Sequence, residues 1–422
     1  MKSLFTVVVA FFGLAACHPQ LNAGRCNSTT DCPTGQTCDL TQNGVCVCSS
    51  PGCADGGGTG GSATGGTGGG AASGGVAGTT DGGGKDSSDA SHGCQSRSDC
   101  SAPTPACSST GACVQCNVST VIMDCQDSTK PICNPTTNTC VACATDNQCA
   151  QRNGADPGVC MAHQDGHCAM PAETVYVKND TSICVSTVAT GDPGAGTVTK
   201  PLCTMDSVPM LLSTTRSLVL VRGTVQGAAN WTFGAQGGGD LSIIGQQTAL
   251  VASGASPGFI MQGGGAYIRD IEFSSSGSTC ISASGGTLRL ETTTVDTCKK
   301  GGISATGGTL ALNAVTVRGC MGGGILLNGA AFDIENTTIE NNGPGQQGTT
   351  SWGGILVNAV PASGPAKLNL VTIENNMSVG LGCIGSVVGT GVLASGNSGG
   401  VDIQPTCMVT GCSPMSATCG AQ

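Results

Sequence analysis

Four soft donors, Cys160, His163, His167 and Cys168, fall within one short stretch, "CMAHQDGHC". Two thiolates and two imidazoles make the ligand set of a tetrahedral zinc site, and one loop would supply them all. A second chemistry is suggested by Glu340 and Glu374, which follow like apolar residues in neighbouring repeats. Two carboxylates about 5 Å apart can flank a glycosidic bond as acid and nucleophile. Trp352, one of two Trp, closes the irregular stretch "NGPGQQGTTSW" (342–352) and would offer a sugar ring a stacking face. Each feature also has a plainer reading. The cysteines would be disulfide staples, the glutamates part of a solvated ladder of mixed charge, and Trp352 a local cover.

The elements that must position these residues repeat. "TLRLETTTVDTCKKGGISATGG" (287–308) is followed by "TLALNAVTVRGCMGGGILLNGA" (309–330), both 22 residues long. Stepping by 22 aligns Ala266, Leu288, Leu310 and Phe332; Ile268, Leu290, Leu312 and Ile334; Phe273, Val295, Val317 and Ile339; and Ile281, Ile303 and Ile325. After an insertion, Ile355 rejoins the last column, and Leu368, Leu370, Ile373 and Leu381 carry all four onward. Upstream, Leu218/Leu220 and Leu241/Ile243 read as the opening pair of two further coils. In a strand, residues two apart point the same way, so Leu-x-Leu sets both side chains inside. Short strands, glycine corners and a fixed period predict a solenoid in which each repeat is one turn, stacked roughly 4.8 Å from the next.

Before the repeats lie two cysteine-rich regions. Six Cys fall between Cys26 and Cys53, and twelve between Cys94 and Cys168, the latter with an internal echo. The pairs Cys113/Cys116 and Cys140/Cys143 invite a zinc or redox reading; disulfides are the reading that an exported address favours, because units this short cannot bury a sufficient core. Between the regions runs a Gly/Ser-rich tether, 54–91. As a flexible coil it has a mean reach of roughly 35 Å, from about 5–6 Å times the square root of its length.

Only 3% of the 422 residues are aromatic and 10% charged, while 69 are Gly. A net charge of -10 without a basic run argues against nucleic acid as a partner. The start, "MKSLFTVVVAFFGLAAC", has one Lys and an apolar run too short to span a membrane, the layout of a secretion signal. Its Leu14-Ala15-Ala16-Cys17 resembles the lipobox of bacterial lipoproteins. The resemblance implies a lipidated Cys17, a membrane as partner, and, with His18 where a retention signal would put Asp, the outer membrane. Without lipidation, Cys17 would be free to pair. Lipidation takes one of 28 Cys and leaves an odd number, so another thiol is free or paired between molecules.

From Thr174 to Gln404 the repeats resemble the right-handed parallel β-helix of the pectate-lyase-like architecture, its hand expected from the crossover rule. The first-coil segment is similar to that of exported β-helix proteins, with a turn at Gly196-Thr197-Val198-Thr199-Lys200-Pro201, and Cys184 and Cys203 flank its loop as a staple. Cys298 and Cys320 share a column continued by Asn342 and Asn376. Stacked at roughly 4.8 Å they could bond, or stand as a thiol-and-Asn ladder.

Enzymes of this architecture use clustered Asp with His, or calcium ligands with an Arg or Lys base. All four His, at 18, 92, 163 and 167, precede the repeats, which removes the His-assisted motif. The outward columns Asp296, Arg318, Glu340, Glu374 and Arg269, Glu291, Asn313, Glu335 are mixed in sign, as is the set Tyr267, Arg289, Asp333. No three acids converge as calcium or acid-base work would ask. The predicted organisation is a signal peptide (1–16), an anchored Cys-rich module (17–53), a tether (54–91), disulfide repeats (92–170), an all-β solenoid (171–405) and a Cys-containing cap (406–422). The function expected is that of a cell-envelope lipoprotein whose non-catalytic β-helix binds a glycan or surface protein, with no cofactor. The alternatives are a divergent polysaccharide lyase or hydrolase, the lyase with calcium, and a structural spacer.

Overall fold

The computed structural model describes segments 36–39 and 45–48 and most of residues 93–410, apart from 154–156, 181, 189–193, 228–239, 276, 349 and 399–400. Cys17, most of the first cysteine cluster, the tether and the tail beyond residue 410 lie outside the described residues. The chain divides into two units, Met1–Lys85 and Asp86–Gln422. In the first, Gln36–Asp39 pairs antiparallel with Val45–Cys48 and sets Cys38 opposite Cys46.

The second unit opens with three disulfide repeats of one plan, first Cys to third and second to fourth. The bonds are Cys94–Cys107 with Cys100–Cys113, Cys116–Cys133 with Cys125–Cys140, and Cys143–Cys160 with Cys149–Cys168. Third and fourth Cys face each other across antiparallel backbone in every repeat. Cys38 and Cys46 stand in the same relation. Cystine sulfur supplies the interior that so short a unit cannot build from side chains alone. Each Cys-x-x-Cys joins the last Cys of one repeat to the first of the next, so neither pair is a redox or zinc couple.

From Thr174 onward the chain is a parallel β-solenoid of about 7 turns. Six strands, from Phe259–Gln262 to Leu381–Cys383, form one sheet. The other strips lie in a 15-stranded sheet, because Gly265–Ser275 runs on past a corner and pairs with both Thr287–Glu291 and Thr294–Asp296. The registers follow the 22-residue period: Leu288 pairs with Leu310, Leu310 with Phe332, and Ile281 with Ile303. These columns form one buried core from Val175 to Val409. The corners stack too. Asp270, Thr292, Ala314, Asn336 and Leu370 all take positive φ, between 44° and 57°, and so share a left-handed turn at one place in successive coils.

Two column assignments need correction. Leu370 is 54% exposed because it occupies that corner; Ala366 and Leu368 hold the interior positions, paired with Phe332 and Ile334. Leu218 and Leu220 also point outward, since it is Val219 that pairs with the interior Ile243. Both are nevertheless fully buried, packed with Tyr176 and Ile244 against Val159, Met161 and Ala169 of the third disulfide repeat and the segment just after it. Burial on both faces explains the unbroken apolar run of strand Leu218–Gln226. Each leucine so covered contributes about 1.5–3 kcal/mol to holding the repeat on the solenoid.

The paired glycines at the coil edges separate conformation from space. Gly307 and Gly308 both have positive φ, 63° and 67°. A Cβ on Gly307 meets nothing, whereas one on Gly308 would lie 2.4 Å from the Gly286 carbonyl oxygen. Gly307→Ala should therefore cost only the left-handed strain, about 1–2 kcal/mol. Gly308→Ala should cost distinctly more in urea unfolding; equal losses would contradict the stacked corner.

Candidate functional site

Two outward columns can be followed strand by strand along the sheet that carries the third repeat. One runs Leu218, Ser242, Tyr267, Arg289, Ala311, Asp333 and Lys367. The other runs Tyr176, Leu220, Ile244, Arg269, Glu291, Asn313 and Glu335. Their early members are buried under the repeat and apolar except for Ser242, whose hydroxyl the repeat itself engages. From Tyr267 and Arg269 onward they are polar except for Ala311, and the groove begins there.

The edge of the repeat is pinned by directed contacts. His163 stacks on Tyr267, ring centroids 3.9 Å apart and 16° from parallel, and its Nε2 lies 2.8 Å from the Ser242 hydroxyl. Arg269 donates to Asp146 of the repeat at 2.6 Å and to Asp270 at 2.6 Å. Gln246 donates to the Pro157 carbonyl at 3.1 Å and accepts from Arg222, whose guanidinium lies over the Tyr176 ring. The Tyr267 hydroxyl donates to Glu291. Burial and that carboxylate together push its pKa well above the ordinary value, so the phenol stays protonated.

Beyond these contacts the surface is hollow. A cavity of about 200 Å³ opens between His163, Asp240, Tyr267 and Arg289. A second, of about 230 Å³, continues over Ala311 to Asp333 and Glu335 and shares Tyr267 and Arg289 with the first. Ala311, the small member of its column, leaves the dip between Arg289 and Asp333. Arg289 is exposed and, among the described residues, makes no ion pair. The groove thus offers an open guanidinium, several carboxylates and an amide, groups that bind hydroxyls from both sides of the hydrogen bond.

The residues singled out by sequence go elsewhere. Cys160 and Cys168 are bonded to Cys143 and Cys149, so the four-donor zinc set does not exist. His167 lies instead between Asp165 and Glu173, the latter 3.1 Å away. Trp352 is only 3% exposed and lies over Gly323 and Gly345, where a Cβ would come within 2.6 Å of the indole. It packs over the corner shared by its own coil and the preceding one, and its ring is not open to a sugar. Glu340 and Glu374 are in register on adjacent coils and continue the ladder in which Arg318 bonds Asp296 at 2.8 Å. Neither lines either cavity. Cys184 is bonded to Cys203. Cys298 is bonded to Cys280 within its own coil, not to Cys320 of the next. Cys320 is a buried free thiol, pushed up to about 12 by burial, and its N–H donates to Asn342 at the head of a ladder through Asn376 and Asn397.

In the sequence, Tyr267, Arg289 and Asp333 stand out only as members of a mixed ladder. The available signal was the change along the columns from Leu218, Leu220 and Ile244 to charged residues. His163 carried no such signal, because it reaches the groove from another module. The fold defines a disulfide-stapled parallel β-solenoid. Compared with known proteins, the chain matches no family model, no curated protein and no solved structure.

Two measurements check this geometry. Trp352→Ala should lower unfolding stability by about 3–5 kcal/mol, as for a buried aromatic; a loss below about 0.5 kcal/mol would place Trp352 outside the core. The two histidines set the pH dependence. Burial, aided by the Arg269 charge, holds His163 down at about 4, so stability is lost as pH falls from the unfolded value of 6.5 towards 4. The Glu173 hydrogen bond, with Asp165 adding to it, holds His167 up at about 9, so its contribution is complete below 6.5 and lost as pH rises towards 9. In urea melts His163→Gln should flatten the acid limb alone and His167→Gln the alkaline limb alone; unchanged limbs would contradict the assignment.

Proposed function

We propose that this chain is a cell-envelope lipoprotein, anchored to the outer membrane by lipid on Cys17, that presents a non-catalytic β-solenoid for binding a glycan at the cell surface. The observation that carries this reading is the switch of the two outward columns from covered, mostly apolar residues to an open polar groove at Tyr267 and Arg289. Rigid strands and the bonded third repeat fix the groove walls in advance, which lowers the ordering cost of binding. The disulfides of the three repeats suit an oxidising compartment. Binding of this kind asks for no cofactor.

A lyase or hydrolase is the competing reading. Its strongest support is the pair Glu291 and Glu335, two coils and so roughly 10 Å apart, near the upper separation of inverting carboxylates. Glu291 already accepts the Tyr267 hydroxyl, and among the described residues no histidine other than His163, itself stacked and bonded, reaches the groove. Cells displaying the full chain should retain glycan-coated beads without releasing new reducing ends or ultraviolet-absorbing products, with or without calcium. Cys17→Ser should abolish incorporation of a fatty-acid label and shed the protein from the membrane fraction. Product release would favour the enzyme, and labelling of the Cys17→Ser chain would remove the anchor.

A further inference from the structure

The groove has a charge pattern and a direction that narrow its ligand, and the narrowing rests on the surface-binding reading above. We infer that the groove takes a neutral, hydroxyl-rich oligosaccharide laid along the solenoid axis, and selects against polyanionic glycans. Its outward positions recur once per coil, so Tyr267, Arg289, Ala311 and Asp333 are spread over about 14 Å at roughly 4.8 Å per step. A surface that repeats in one direction suits a polymer with repeating units better than a compact molecule.

Charge then selects among polymers. Asp240, Asp333, Glu335 and Glu291 line the two cavities against the single open guanidinium of Arg289. An acidic glycan would bring like charge against four carboxylates, on a chain whose net charge is already -10. A polycation would have to pass Arg289 at the point where the two cavities join. A neutral sugar meets neither penalty. Its hydroxyls donate to the Asp333 and Glu335 oxygens and accept from Arg289, and the Ala311 dip admits a ring edge.

The test is titration of the full oxidised chain in detergent with panels of neutral, polyuronide and amino-sugar oligomers at low and high salt. Neutral oligomers should bind with little dependence on salt, more tightly as length grows to several units. Arg289→Gln and Asp333→Asn should each weaken binding about tenfold or more, the value of a hydrogen bond to a charged group. Ala311→Gln, which keeps every polar group and fills the dip, should do the same, and Glu374→Gln outside the groove should change nothing. Salt-sensitive binding of polyuronides or amino-sugar oligomers in preference to neutral ones would overturn the ligand class while leaving surface binding intact. Neutral binding that survives all three groove substitutions would overturn the site. Retention of no glycan of any class would overturn this inference and the binding reading together.

Discussion

No coil of this solenoid can bury its own interior. Each contributes a few modest side chains and closes only when the next coil lies over it, in register, at the inter-strand distance. Everything else follows from that stacking: the 22-residue period, the columns that carry it, and corners whose residues accept left-handed backbone so that every turn falls in the same place. The buried ladder from Cys320 through Asn342, Asn376 and Asn397 serves the same end, satisfying each coil's polar groups with those of its neighbours.

Stacking that aligns the interior also aligns the exterior. Columns of outward side chains are therefore unavoidable, and what they hold is free to vary without disturbing the core. In the first coils they hold Leu218, Leu220, Tyr176 and Ile244, and the third disulfide repeat sits on them. In later coils they hold Arg289, Asp333 and Glu335, and nothing among the described residues sits there. The disulfide repeat thus has two effects. It closes an apolar face that water would otherwise meet, and its edge residue His163 supplies one wall of the groove.

The interior of the fold was legible in the sequence because a period of two within strands and of 22 between them leaves few other solutions. Where it misled, a local rule had two satisfactory answers. Leu370 matches an interior column by residue type, but the insertion shifts the count and sets it at a corner. Leu218 and Leu220 alternate as an interior pair would, yet the run LVLV is apolar on both faces and alternation cannot tell which is inside. Cys298 is followed by Cys320 at the same place in the next coil, and the 22-residue spacing does not show that its bond goes to Cys280 within its own coil. The groove was less legible still. Arg289 and Asp333 carry no motif, and their partner across the cavity lies in a module that the sequence presents as separate.

Carboxylate footprinting reports on occupancy of the groove residue by residue. The full oxidised chain would be labelled with a carbodiimide and an amine, with and without a pool of neutral oligosaccharides, and the modified residues mapped by mass spectrometry. Asp240, Asp333 and Glu335 should be protected, with Glu340 and Glu374 labelled equally in both samples. Protection at Glu340 and Glu374 instead, or unchanged labelling throughout, would contradict occupancy of the groove.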